Sequence, residues 1–327
     1  MIYDDKINDF LNGKVLVVLS FIAMVITAAM AATSGEFPSP EAGNGVFFKM
    51  SQAFAQSPIL SLVTNIAAVS LIGALLLVLN KVFQFVRSVT HIMVSAFFIL
   101  TMANPLTSCV FSAGTGLALM LVLGTFLLFS SYQNKKAQRS IFLMFAIIST
   151  CAMFQWAYVL LLPAFFGGYC YMRAMNFKGV LASLLGIFVP FWIAIGTGLV
   201  SPFDFKPLNI QAVWDALEIG QVRALLVSVA VVVLLSVVLT SLNLLKIFNY
   251  RLQLRVYNAF FMLVVLLTVI SMCVDYQDMQ VLVPLLNVCL SVQIAHAFTI
   301  SKASKRYIAM FVFIIWALVS YATILFL

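Results

Sequence analysis

Charged residues are scarce in this chain: Asp, Glu, Lys and Arg make up 9% of its 327 residues, whereas 64% are hydrophobic. A typical soluble domain carries about 25% charged residues, which keep its surface in water. No polar stretch between the apolar runs exceeds about 25 residues, too few for a water-facing globular domain. The composition therefore predicts a single integral membrane domain over residues 1–327, built as an all-α bundle of transmembrane helices.

Ionisable side chains are missing where transport or metal chemistry would need them. None of the ten carboxylates lies in the middle of an apolar run, which argues against a transporter driven by protons or sodium ions. His91 and His296 are the only histidines, too few for a haem or di-iron centre. The five cysteines show no metal-ligand spacing. We therefore expect no metal site and no cofactor.

Long apolar runs, in contrast, are abundant. A helix needs about 20 apolar residues to cross a hydrocarbon core about 30 Å thick. Nine runs of this kind follow one another along the chain, at 15–32, 58–79, 89–103, 113–130, 179–200, 222–242, 256–273, 280–299 and 307–327.

The stretch between Arg139 and Arg173 decides the topology. Its 33 residues are too many for one crossing, even by a tilted helix. Two short segments that turn near residues 151–155 place fifteen Lys and Arg on one side and three on the other, whereas one helix gives nine and nine. Because Lys and Arg favour the cytoplasmic side, we predict about eleven membrane segments, with the amino terminus in the cytoplasm and the carboxyl terminus outside.

The same charge distribution identifies the expected surroundings of the protein. Cytoplasmic loops that face anionic lipid account for the net charge of +8. The partner that this charge predicts is the lipid bilayer, and no nucleic acid is needed to explain it.

Three segments outside the crossings have amphipathic patterns. Residues 1–13 repeat apolar side chains at helical spacing and predict a short helix on the cytoplasmic surface. The loops at 33–57 and 201–221 lie on the predicted outer side, and each combines an apolar stripe with carboxylates. Both loops therefore predict interfacial helices.

Four ionisable residues in or next to these outer loops could support chemistry. Glu36 and Glu41 lie in the first loop, Lys206 lies in the second, and Arg223 opens the helix that follows. Arg223 serves either as a snorkelling anchor paired with a nearby carboxylate or as a ligand for a lipid-linked phosphate.

In topology this arrangement is similar to polyprenyl-lipid glycosyltransferases and glycan polymerases of bacterial inner membranes. That similarity implies that Glu36 or Glu41 activates an acceptor hydroxyl as a catalytic base. It also implies that Arg223 and Lys206 bind the diphosphate of a polyprenyl-phosphate-linked substrate.

A further polar group lies on the run at 280–299. Asn287, Gln293 and His296 interrupt it, and Gln293 and His296 are three residues apart, on one face of a helix. Hydrogen bonding between helices explains these residues, and lining a polar cavity is the alternative.

Two stretches resemble a family of uncharacterised integral membrane proteins from bacteria of the Bacteroides group. These stretches are YMRAMNFKGVLASLLGIFVPFWIAIGTGL at 171–199 and NYRLQLRVYNAFF at 249–261. The resemblance implies a polytopic protein of the bacterial inner membrane and carries no established activity.

Three functions follow from these observations. A non-enzymatic component of an envelope assembly, working with other envelope membrane proteins, is favoured because no catalytic motif stands out. An enzyme acting on lipid-linked glycans at the outer face is the first alternative. A transporter or flippase that uses no intramembrane carboxylate is the second.

Overall fold

The fold was determined from a computed structural model, which describes residues 13–34, 45–47, 57–86, 90–201, 203, 220–246, 251–275, 279–300 and 303–326. Within these ranges all regular structure is helical. The α-helices are α1 (Lys14–Ser34), α2 (Pro58–Phe83), α3 (Thr90–Met102), α4 (Pro105–Cys109), α5 (Ala113–Ser130), α6 (Gln138–Ala152), α7 (Leu161–Tyr171), α8 (Phe177–Gly196), α9 (Gly220–Lys246), α10 (Leu252–Val274), α11 (Met279–Ile300) and α12 (Ala303–Phe326). A 3₁₀ turn at Trp156–Leu160 precedes α7.

Six of the described helices are long and apolar enough to cross a membrane: α1, α2, α5, α8, α10 and α11. Shorter apolar helices occupy the remaining predicted runs. The described part of the chain is thus an all-α bundle with several membrane-spanning candidates, as the composition predicts.

The predicted turn near residues 151–155 is confirmed. Helix α6 ends at Ala152, and the 3₁₀ turn begins at Trp156. At the other end of this pair, the amide of Gln133 donates to the carbonyl oxygen of Met172 over 2.8 Å. Because residues just before α6 and just after α7 meet, the two helices form an antiparallel hairpin.

Helix α11 forms the centre of the bundle. It packs against α3, α5, α9 and α10. Of its residues in the apolar stretch, 89% are buried, against 22% for α8. A helix that is apolar on every side suits this position, because it meets protein in all directions. Its polar side chains therefore lie inside the protein and not against lipid.

Helices α6 and α8 pack closely because α8 presents small residues to α6. A Cβ atom added at Gly186 would lie 2.7 Å from the carbonyl oxygen of Phe142 and 2.8 Å from the Cβ of Phe145. One turn away, the hydroxyl of Ser149 donates to the carbonyl oxygen of Ile187 over 2.7 Å. The absence of a side chain at Gly186 thus allows the two backbones to approach.

The predicted surface segments lie almost entirely outside the described residues. This applies to the amphipathic segment at 1–13 and to most of the loops at 33–57 and 201–221. An exception is Gly45–Phe47, which lies against the turn after α6. There the amides of Val46 and Phe47 donate to the carbonyl oxygens of Ala152 and Met153 over 3.2 and 3.3 Å. The first loop is therefore attached to the α6–α7 hairpin.

Candidate functional site

The ionisable candidates of the outer face fall where the structure does not describe side chains. Glu36, Glu41 and Lys206 lie outside the described residues. Arg223 lies in the first turn of α9, but its side chain is not among those described. Their roles as catalytic base and diphosphate ligands therefore stay predictions.

The polar candidates on α11 are all buried. Gln293 is 0% exposed, Asn287 1% and His296 4%. Their positions on the helix differ, because Asn287 and His296 are nine residues apart and point in opposite directions at 100° per residue. The three side chains therefore face different neighbours.

Gln293 joins three helices through its amide group. The Nδ2 of Asn243 on α9 donates to the Oε1 of Gln293 over 2.6 Å and to its backbone oxygen over 3.1 Å. The Nε2 of Gln293 then donates to the Oδ1 of Asn258 on α10 over 3.1 Å. We call Asn243, Gln293 and Asn258 the amide layer. Its hydrogen bonds join α9, α10 and α11, because buried amides bond to one another inside the protein. The Nδ2 of Asn258 has no partner among the residues that the structure describes.

Asn287 lies outside the amide layer. Neither its Nδ2 nor its Oδ1 has a hydrogen-bond partner within the described part of the chain. An amide buried in this way costs free energy, about 1–3 kcal/mol for each unsatisfied group. Asn287 is thus a polar residue whose contribution to stability is unfavourable in this arrangement.

His296 lies beside an aromatic cluster at one end of the bundle. Its ring centroid is 6.4 Å from that of Phe85, which stacks on Phe261 of α10 at 5.8 Å. Next to these rings, Phe129 of α5 stacks on Tyr257 of α10 at 3.9 Å. The cluster connects α5, α10 and α11 by apolar contact.

Two members of the amide layer, Asn243 and Asn258, were not predicted. Each lies near one end of an apolar run, where an Asn also suits a position in the headgroup region. The sequence signal that points to them is Gln293 itself, because a buried Gln needs hydrogen-bond partners on neighbouring helices. Sequence spacing identifies the face of each helix but not the helix that it meets.

An apolar groove lies beside the attached part of the first outer loop. Its volume is about 360 Å³. The hydroxyl of Ser149, on its wall, already donates to Ile187. The lining residues are Val46, Phe47, Ser149, Ala152, Trp156, Val159, Leu162, Phe188 and Phe191. Such a lining suits a hydrocarbon chain and not a polar substrate.

Among the described residues, no three His, Cys, Asp or Glu side chains lie close enough together to bind one metal ion. Asp275 is the one carboxylate that these residues contain. The described core therefore presents amides, hydroxyls and aromatic rings.

Comparison with known proteins returned nothing: no family model, curated protein or solved structure matches the chain. Membership in the Bacteroides-group family stays a prediction.

Proposed function

We propose that this protein is a non-enzymatic component of an envelope assembly in the bacterial inner membrane. The amide layer is the observation that carries the proposal. Its polar groups bond to one another between helices, and each is at most 2% exposed. Polar groups that bond between helices in this way stabilise a bundle and are not available to a substrate. The protein then acts through its surface, by contact with other envelope membrane proteins.

The proposed topology has about eleven crossings with a cytoplasmic amino terminus. Its support is the fifteen-to-three division of Lys and Arg, together with the antiparallel hairpin of α6 and α7. With the hairpin in place, the turns at its open end lie on the cytoplasmic side.

Cysteine labelling tests this topology. In a background with Cys170 and Cys273 replaced by Ser, we expect Asn176→Cys to react with an impermeant maleimide only after the cytoplasmic side is opened. Gln277→Cys should react in intact cells, because it lies in a predicted outer loop. Lys136→Cys is the internal control, since it lies at the same end of the hairpin as Asn176. Labelling of Asn176→Cys from outside would reverse the assignment after Arg139.

A second candidate function is transfer or polymerisation of lipid-linked glycans at the outer face. The apolar groove favours it, because Phe47 and Val46 continue the loop that contains Glu36 and Glu41. A polyprenyl tail in the groove would bring its diphosphate toward that loop. In this function one of the two carboxylates is the base, and Arg223 with Lys206 binds the diphosphate.

Complementation of a deletion strain separates the two functions. Under the assembly role, no chemistry depends on these side chains. We therefore expect each single variant to restore wild-type behaviour to the deletion strain: Glu36→Gln, Glu41→Gln and Arg223→Ala. Under the enzyme role, Arg223→Ala and at least one of the carboxylate variants should fail. Expression at wild-type level is the control for each variant. Failure of Arg223→Ala together with one Glu variant would overturn the assembly role.

A further inference from the structure

Five exposed cations gather at the open end of the α6–α7 hairpin. Lys135, Lys136 and Arg139 come from the turn into α6, and Arg173 and Lys178 from the turn into α8. We call these five residues the basic platform.

Hydrogen bonds fasten the two turns to each other. The side-chain Nδ2 of Asn176 donates to the carbonyl oxygen of Lys135 over 2.8 Å, next to the bond between Gln133 and Met172. The Oδ1 of Asn176 also accepts from the amide of Gly179 over 2.7 Å, which caps α8. Both turns include a residue with left-handed backbone, Gln133 at φ 56° and Arg173 at φ 55°. The cations are thus held together on one surface and do not sit on independent loops.

No carboxylate is available to neutralise the basic platform from its own part of the chain. The sequence contains no Asp or Glu between Glu41 and Asp204. Within the described residues, none of the five cations takes part in an ion pair. Like charges held close together repel one another unless an anion lies between them. The platform therefore attracts anions, most strongly at low ionic strength.

The surface next to the platform identifies the class of that ligand. Phe177 directly precedes Lys178 and is 85% exposed. Leu181, Leu184 and Phe188 follow it along the same side of α8 and are also exposed. From Phe177 to Phe188 the helix rises roughly 16 Å, close to the depth of one hydrocarbon leaflet. A ligand with both phosphate and acyl chains contacts both surfaces at once, which an acidic protein segment does not.

We propose that the basic platform and the adjoining face of α8 bind an anionic phospholipid, with the phosphates on the cations and an acyl chain along the helix. Five cations favour a lipid with two phosphates over one with a single phosphate. The site does not depend on either proposed function, because its five cations take no part in them; Phe188 alone also lines the apolar groove.

The test is native mass spectrometry of the full chain in neutral detergent, titrated with cardiolipin, phosphatidylglycerol or phosphatidylcholine. We expect the wild type to bind cardiolipin most tightly and phosphatidylcholine least. The triple variant Lys135→Gln, Arg173→Gln, Lys178→Gln should weaken cardiolipin binding about tenfold or more, since each cation near a membrane surface contributes to the attraction.

Two controls make the result specific. The triple variant Lys14→Gln, Lys81→Gln, Arg251→Gln removes the same charge from exposed cations elsewhere and should change cardiolipin affinity less than about twofold. Inorganic pyrophosphate and a ten-residue oligoglutamate test anions without acyl chains, and both should bind far more weakly than cardiolipin. Equal weakening by the two triple variants would overturn the proposal. Oligoglutamate binding as tight as that of cardiolipin would also overturn it and would indicate an acidic protein partner.

Discussion

Replacing Gln293 by Met should destabilise the bundle, whereas replacing Asn287 by Leu on the same helix should not. Both substitutions remove a buried amide and keep a side chain of similar length. Gln293→Met breaks the bond from Asn243 to Oε1 and deprives the Oδ1 of Asn258 of its donor. We expect a cost of about 2 kcal/mol, because buried partners are left unsatisfied.

Asn287→Leu is the matched comparison. The amide it removes has no partner within the described part of the chain, so the substitution removes an unfavourable group. We expect stability to stay the same or to rise by about 1 kcal/mol. Thermal unfolding of the purified proteins in detergent measures both. The Tm of Gln293→Met should fall by about 3 °C.

A fall of the same size for Asn287→Leu would contradict this account. It would mean that Asn287 has a favourable polar contact in the membrane-embedded protein, as the cavity-lining alternative requires. The comparison therefore also tests whether a polar path passes through α11.

Replacing Gly186 by Ala should destabilise the contact between α6 and α8. Gly186→Ala places a Cβ against the carbonyl oxygen of Phe142, which belongs to the backbone and cannot rotate away. We expect a loss of about 1–3 kcal/mol, as for other overpacked sites. The measurement is the same thermal unfolding, supplemented by the yield of monodisperse protein after extraction.

Gly196 provides the matched control for this variant. It lies on the same helix, and an added Cβ there meets nothing within 4 Å. Gly196→Ala should therefore be neutral, or slightly stabilising because Ala favours helix more than Gly does. If Gly186→Ala were as stable as Gly196→Ala, the close approach of the two helices would be wrong.

The positions of the helices could be read from the sequence to a considerable extent. The run at 113–130 coincides with α5, and the turn expected near 151–155 separates α6 from the 3₁₀ turn. A uniformly hydrophobic stretch of 18 or more residues has few alternatives to a helix in a membrane, because its backbone polar groups must bond to one another there. The short helix α4 was not predicted, because five residues after Pro105 contain too little periodicity to distinguish from a loop.

The site was much less accessible from sequence. Gln293 stood out as a polar residue in an apolar run, but Asn243 and Asn258 became its partners only through the packing of three helices. Spacing along one helix contains no information about which neighbour it meets. The basic platform illustrates the same limit, since Lys135 and Arg173 are distant in sequence and adjacent only because the hairpin closes.

The central position of α11 also has a consequence for how the protein is made. This helix begins at residue 279 of 327, so most of the chain leaves the ribosome before it. Helices α3 and α5, which pack on it, enter the bilayer without the surface that they finally contact. Until α11 is inserted, Gly114 of α5 therefore lacks its contact with Pro284. The contacts that α3 and α5 make with α11 can therefore form only after the chain beyond residue 279 has been made.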